Sequence, residues 1–361
     1  MATSTATWNY RDEFHEAFAR TYFRRFADCI VSSIGVGTYL GEPTDEADEN
    51  YERAIVEALE SGINVVDTAL NYRCQRSERA VGRAIQETDV DRESVLVATK
   101  GGFVPFEGSM PENPGEYVRE QYFDSGVCTP EEMVRGNCIT PDFIDDSLDR
   151  SLANLDLETI DLYYVHNPET QLEERSAEAV YDLLEATFQR LERRAAAGDI
   201  RHYGVATWEA FRVGKDHESY LSLPEVVRRA RAASDTVGTD ATHFRAIQLP
   251  FNVHMADAFT VEGQDGPEGP QSALWFAHEA GLDVFTSASI LQGKLASGLP
   301  GDVAALLDGD TDVQRAINFA RSAPGVTSAL VGMGSPDHVP ENVAAGTFPP
   351  LGASAFDEVF E

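Results

Sequence analysis

Lysine is nearly absent from this chain. Its 361 residues include 61 Asp and Glu against 28 Lys and Arg, a formal charge of −33, and only three of the basic residues are lysines: Lys100, Lys215 and Lys294. A field of that sign repels DNA, RNA and anionic lipid, which argues against nucleic-acid or membrane-surface partners. The acids are scattered, so they predict a solvated surface rather than a disordered tail. An acidic surface that drops lysine but retains arginine predicts adaptation to high salt, of the haloarchaeal type, because salt screens the self-repulsion. An ordinary acidic cytosolic protein is the alternative.

Cysteine is scarce too. Four cysteines without a C-x-x-C pair (Cys29, Cys74, Cys128 and Cys138) exclude a disulfide framework in a chain this long. Cys128 and Cys138 share one loop, which leaves a local bridge or metal clip open beside the reading as lone thiols. No apolar run approaches the roughly 18 residues of a membrane span. The start "MATSTATWNYRDEF" lacks a basic stretch followed by an apolar one, so no signal peptide is predicted. These features predict a soluble, cytoplasmic protein.

Also missing is a usable G-x-G-x-x-G turn. "GVGTYLGEPT" has closely spaced glycines but carries bulky Tyr39 and Leu40 and then Pro43, a poor phosphate cradle. What is present is alternation. Short apolar strand candidates occur at 30–37, 63–67, 95–100, 160–166, 202–206, 246–249, 282–287 and 327–331. Helix candidates follow them at 45–61, 77–87, 141–155, 177–197, 223–234, 271–279, 313–323 and 336–345. Eight βα units predict an α/β fold with a parallel sheet, closed as a (β/α)₈ TIM barrel in a single domain. An open doubly wound sheet is the runner-up. Residues 1–28 read as an N-terminal extension, helical over Trp8–Phe26, residues 29–346 as the barrel and 347–361 as a tail. Two stretches exceed the repeat, Phe103–Thr140 and Met255–Pro270, and both are expected as long loops on the C-terminal face, where barrels build active sites. The first is rich in aromatics (Phe103, Phe106, Tyr117, Tyr122 and Phe123), which predicts an apolar substrate wall.

The strand ends carry the chemistry. The second strand ends in Asp67, the third in Lys100 and the fourth in His166, with Tyr72 in the loop just beyond Asp67. Singly, each has a plain structural explanation: a helix cap, a rim ion pair, a satisfied imidazole, a core aromatic. Together they place a carboxylate, an ammonium and an imidazole on one arc of the rim. Lys100 is telling, because a chain that avoids lysine keeps one here, where a compact, tunable ammonium has a use.

"DTALNY", "VLVATK", "LYYVHN", "IRHYGVATW", "IQLPFN" and "VGMGSPDHVPEN" together resemble the aldo-keto reductases, from about residue 34 to 345. The resemblance implies a barrel that binds NADP or NAD in extended form across the C-terminal rim and exchanges hydride with a small-molecule carbonyl or alcohol. It implies a catalytic tetrad of Asp67, Tyr72, Lys100 and His166. Tyr72 would donate the proton, Lys100 would lower its pKa, Asp67 would hold Lys100 charged, and His166 would orient the carbonyl. Cofactor contacts would fall to Thr38, Asp67, Thr207, Gln248, Ser287, Leu291, Gly293, Ser335 and Asn342, with no metal. Three positions depart from the family pattern. Ala206-Thr207 replaces Ser-Asn, Ser287 replaces a stacking aromatic, and Ser335 replaces a cation facing the 2′-phosphate. The last implies weak discrimination between NADPH and NADH unless an arginine such as Arg212 reaches the site. A cofactor-binding regulatory member with little turnover is the second reading, and a Schiff-base enzyme using Lys100 the third.

Overall fold

The computed structural model describes residues 1–360. Eight parallel strands close into a barrel: β3 (Ile34–Gly37), β4 (Val65–Asp67), β5 (Leu96–Gly101), β6 (Ile160–His166), β7 (Ile200–Ala206), β8 (Phe244–Pro250), β11 (Asp283–Ser287) and β12 (Val326–Gly332). Around the barrel they run in the order β11-β12-β3-β4-β5-β6-β7-β8. Helices run between them, the longest being Ala177–Ala197, capped by Ser176 at its start and by left-handed Gly198 at its end.

Period-two alternation sorts the strand residues into two cores. Val66, Val97, Tyr163, Val165, Val205 and Ile247 face outward and pack with the helices. Val65, Leu96, Ala98, Leu162, Tyr164, Ala246, Phe285 and Leu330 fill the interior. The floor of that interior is closed by an antiparallel hairpin, β1 (Phe23–Phe26) with β2 (Cys29–Ser32), which contributes Phe26 and Val31.

The hairpin corrects two expectations. The N-terminal helix spans only Ser4–Phe14, and the expected helix over 8–26 gives way to β1. The expected first strand 30–37 is two strands at an angle, broken at Ser33. At that corner Ser32 N–H donates to Asn64 Oδ1 at 2.7 Å, Ser33 N–H donates to the Tyr22 carbonyl at 2.7 Å, and Arg321 Nε donates to the Ser33 hydroxyl at 3.1 Å. Residues 255–270 are also more ordered than expected, with a short helix Asp257–Thr260 and a hairpin, β9 (Gln264–Gly266) with β10 (Gly269–Gln271). The expected helix 271–279 accordingly begins at Ala273. All four cysteines are free, buried thiols. Among the described residues, no helix is long and apolar enough to cross a membrane.

Candidate active site

Each strand-end residue is the next inward-facing position above the filled interior. Val65 leads to Asp67, Ala98 to Lys100, Tyr164 to His166, Ala246 to Gln248 and Phe285 to Ser287. The alternation that packs the barrel therefore delivers polar groups to its mouth.

Lys100 is almost fully buried, at 1% exposure. Its Nζ donates to Asp67 Oδ1 at 2.6 Å and to the Thr68 carbonyl at 2.7 Å. Gln248 Nε2 donates to the other oxygen, Asp67 Oδ2, at 2.7 Å. Burial pushes the two groups toward neutrality, lowering Lys100 and raising Asp67, while their mutual attraction and hydrogen bond oppose both shifts. Tyr72 lies over this pair, its ring centroid 5.1 Å from Nζ and 6.0 Å from the His166 ring. His166 is held neutral: burial, and then the Lys100 charge, lower it to about 3. Its Nδ1 is buried without a partner.

The expected influence of Lys100 on Tyr72 is not what the structure shows. Burial, then the Asp67 charge and Tyr39, push the Tyr72 phenol well above its ordinary value of 10. The reason is geometric: the ammonium spends its hydrogen bonds on Asp67 and Thr68 and sits over the ring.

Two cavities meet here. A cleft of about 700 Å³ runs past Thr38, Asp67, Tyr72, Gln248, Ser287 and Gly293 to Gly334 and Asn342. A chamber of about 400 Å³ shares Tyr39, Tyr72, Gln248 and Ser287 with it and adds Phe103, His166, Thr207 and Trp208. Of the positions expected to touch a cofactor, Leu291 and Ser335 line neither cavity. Ser335 Oγ instead accepts the Asp337 N–H at 3.4 Å, capping a short 3₁₀ turn. Arg212 is held by Asp257 at 2.7 Å. The aromatic wall is also reassigned. Phe103 lines the chamber, but Phe106, Tyr117, Tyr122 and Phe123 pack on one another with Cys128, Cys138 and Phe143. No residue of 255–270 lines either cavity.

A nicotinamide dinucleotide fits this donor set. Thr207 Oγ1 is buried beside the chamber with no hydrogen-bond partner, which suits a carboxamide, and the cleft is long enough in residues to take an extended ligand. Sequence reasoning missed the device that sets Thr207. Glu169 is buried after β6, and its Oε1 accepts the N–H groups of Trp208 at 2.6 Å and Glu209 at 3.1 Å, fixing the turn after β7. A carboxylate directly after "VHNP" was the only available signal. His166 is similarly tied through its backbone, since Asn137 Nδ2 donates to the His166 carbonyl at 2.9 Å.

A closed parallel barrel with a buried lysine–carboxylate pair beneath a tyrosine and a histidine, opening on a long cleft, defines a class of barrel protein that holds an extended ligand against titratable side chains. The chain belongs to the aldo/keto reductase family, whose sequence model matches residues 33–220. It is 22% identical over 333 residues to a Schizosaccharomyces pombe protein provisionally named a voltage-gated potassium channel subunit beta, covering 88% of this chain and 85% of that one. It is 29% identical over 206 residues to an Escherichia coli NADH-specific methylglyoxal reductase, spanning 55% of this chain and 54% of that one. Among solved structures, an aldo/keto reductase from Klebsiella pneumoniae in complex with NADP and acetate superposes with a TM-score of 0.62 at 19% identity, covering 94% of each chain. A glycerol dehydrogenase from Gluconobacter oxydans gives 0.63 at 20% identity, covering 95% of each.

Proposed function

We propose that this chain, an oxidoreductase of the aldo/keto reductase family, interconverts the carbonyl of a small aldehyde or ketone with its alcohol, using NADPH or NADH, and that Tyr72 supplies the proton. The observation that carries this reading is the meeting of the dinucleotide-sized cleft with the chamber at Tyr72, directly over the Lys100–Asp67 pair. When bound, the nicotinamide supplies or accepts the hydride. The chain's own residues do the rest. Tyr72, kept protonated by burial, donates its O–H to the developing alkoxide. Neutral His166 offers a ring N–H to the same oxygen and orients it. The Lys100 ammonium, 5.1 Å from the Tyr72 ring centroid, would offset the negative charge left on the ring side of the phenolate, and Asp67, itself held by Gln248, fixes Lys100 there.

Thr38, Thr207, Gln248, Ser287, Gly293 and Asn342 would hold the dinucleotide. A salt-rich cytoplasm belongs to the same reading, supported by the charge of −33 and the near absence of lysine. The second reading, a cofactor-binding regulatory member, draws on the named channel subunit that the chain matches over 88% of its length.

Tyr72→Phe tests the assignment. Turnover of an aldehyde panel, followed by NAD(P)H absorbance, is expected to fall by about 10²–10⁴-fold while cofactor affinity holds. Near-full turnover in the variant removes Tyr72 from the chemistry. Tight cofactor binding by the unmodified protein with no turnover of any carbonyl supports the regulatory reading instead.

A further inference from the structure

Beneath the barrel, an acidic molecule carries a basic cavity. It holds about 340 Å³ and lies between the N-terminal helix and the β1–β2 hairpin that closes the barrel floor. Trp8, Arg11 and His15 follow one another at spacings of three and four, which puts them on one face of the helix and its continuing 3₁₀ turn. Phe26 points into the barrel, so by the two-residue period of a strand Phe23 and Arg25 point out of it, to the cavity. Arg20, from the segment between helix and hairpin, completes the basic lining. No carboxylate lines this cavity, although acids outnumber bases 61 to 28 in the chain. Two acids close by in sequence are taken, Asp12 by Arg11 and Asp28 by Arg201, each at 2.5 Å. Arg194 and Arg229 meet three and four acids respectively. Arg20 and Arg25 are exposed and, among the described residues, have no carboxylate in ion-pair contact.

Two guanidinium forks without an acid match the oxygens of a phosphate. Beside them the Trp8 ring is 39% exposed, with the Arg11 guanidinium 5.5 Å from its centroid, so a flat ring has a face to stack on. A bare anion would use only the charges, which salt screens, whereas a phosphate joined to an aromatic base uses both features. The volume suits a small molecule. A nucleic-acid strand would meet the repulsion of the whole −33 surface. We propose that this cavity binds a small nucleoside phosphate, with its phosphate on Arg20 and Arg25 and its base against Trp8. The site shares no lining residue with the cleft or the chamber at Tyr72 and does not depend on the reductase reading.

The test is isothermal titration calorimetry of the whole protein with AMP, adenosine and inorganic phosphate, at the lowest KCl concentration that keeps the circular dichroism native. AMP is expected to bind about tenfold tighter or more than either fragment. An Arg20→Gln/Arg25→Gln double variant is expected to weaken AMP about tenfold or more and to leave adenosine nearly unchanged. Trp8→Ala is expected to weaken AMP about fivefold or more and to leave inorganic phosphate nearly unchanged. All three side chains are exposed, and native circular dichroism of each variant checks that the fold is kept. AMP binding that neither variant changes belongs to the cleft at the other end of the barrel and overturns the proposal. So does AMP binding no tighter than inorganic phosphate, or no AMP binding at all.

Discussion

At the mouth of the barrel a buried ammonium and a buried carboxylate both lose their hydration, and their attraction has to repay that cost. The side chains of Lys100 and Asp67 are 0% and 7% exposed, and an apolar pair of the same volume would serve stability as well or better. The pair is therefore poor evidence of a stabilising role and fits the proposed role beside Tyr72. His166 makes a measurable contribution of the opposite kind. It is neutral when folded, with its pKa lowered from the ordinary 6.5 to about 3. In the unfolded chain it takes up a proton as pH falls through about 6.5, so the unfolded state binds more protons and stability falls with pH in that window. Between pH 7 and pH 5 the loss from this group is about 2 kcal/mol. His166→Asn is expected to remove that part of the pH dependence, seen as a smaller drop in unfolding free energy between the two pH values by denaturant titration in high salt. An unchanged slope shows that the imidazole takes up its proton at the same pH in the fold as in the unfolded chain.

Among the elements, the turn between β4 and helix Arg76–Glu87 sets Tyr72. Arg73, Cys74 and Gln75 follow it with φ of 47°, 56° and 69°, three left-handed residues in a row and none of them glycine. Such residues cost of order 1–3 kcal/mol each and persist only where the surroundings impose them. Here Arg73 donates to the Glu42 carbonyl at 3.1 Å and the Thr44 carbonyl at 3.3 Å and pairs with Asp48, while Gln75 Nε2 donates to the Phe106 carbonyl at 3.1 Å. Arg73→Ala is expected to lower stability by roughly 1–3 kcal/mol, the cost of the unpaired buried acceptors. It is also expected to reduce the single-turnover rate more than cofactor affinity, because the turn carries Tyr72, the proposed proton donor. Lysine at 73 lacks the planar fork and should not restore the rate. If Arg73→Ala keeps the full rate, Tyr72 is positioned by its own packing. The strand ends at Asp67, Lys100 and His166 were legible in the sequence because a two-residue period that ends in a charge is visible without knowing what lies across from it. The left-handed turn was not, since nothing in "YRCQR" signals positive φ. The hairpin under the barrel was equally hidden, because "YFRRF" has no period that separates strand from helix and its partner "CIVS" runs directly into the first barrel strand. Glu169 and the chamber wall of Tyr39, Asn167 and Trp208 depend on how loops from different strands meet, which no local pattern encodes.

For the whole molecule, two buried or half-buried arginines each serve several acids. Arg229, 7% exposed, meets Glu178, Asp182, Glu185 and Glu225, and Arg194 meets Asp145, Asp149 and Asp199. These clusters tie helices Pro141–Leu155, Ala177–Ala197 and Leu223–Val237 together around the outside of the barrel. Each cluster has more carboxylates than cations, so what holds it depends on how far the surplus repulsion reaches. At about 1 M salt the Debye length is about 3 Å and the surplus is screened, whereas at about 0.01 M it is about 30 Å and the charge of −33 acts across the molecule. Dialysis from molar to millimolar KCl is therefore expected to lower the melting temperature and then unfold the chain, followed by circular dichroism. Arg229→Ala, which leaves Glu178, Asp182 and Glu185 without that cation while Glu225 keeps Arg228, is expected to move that transition to higher salt. A spectrum and melting temperature that do not change with KCl rule out salt adaptation and make the acidic surface merely solubilising. A salt-dependent parent whose Arg229→Ala variant unfolds at the same KCl concentration locates the dependence in the diffuse charge and not in the helix clusters.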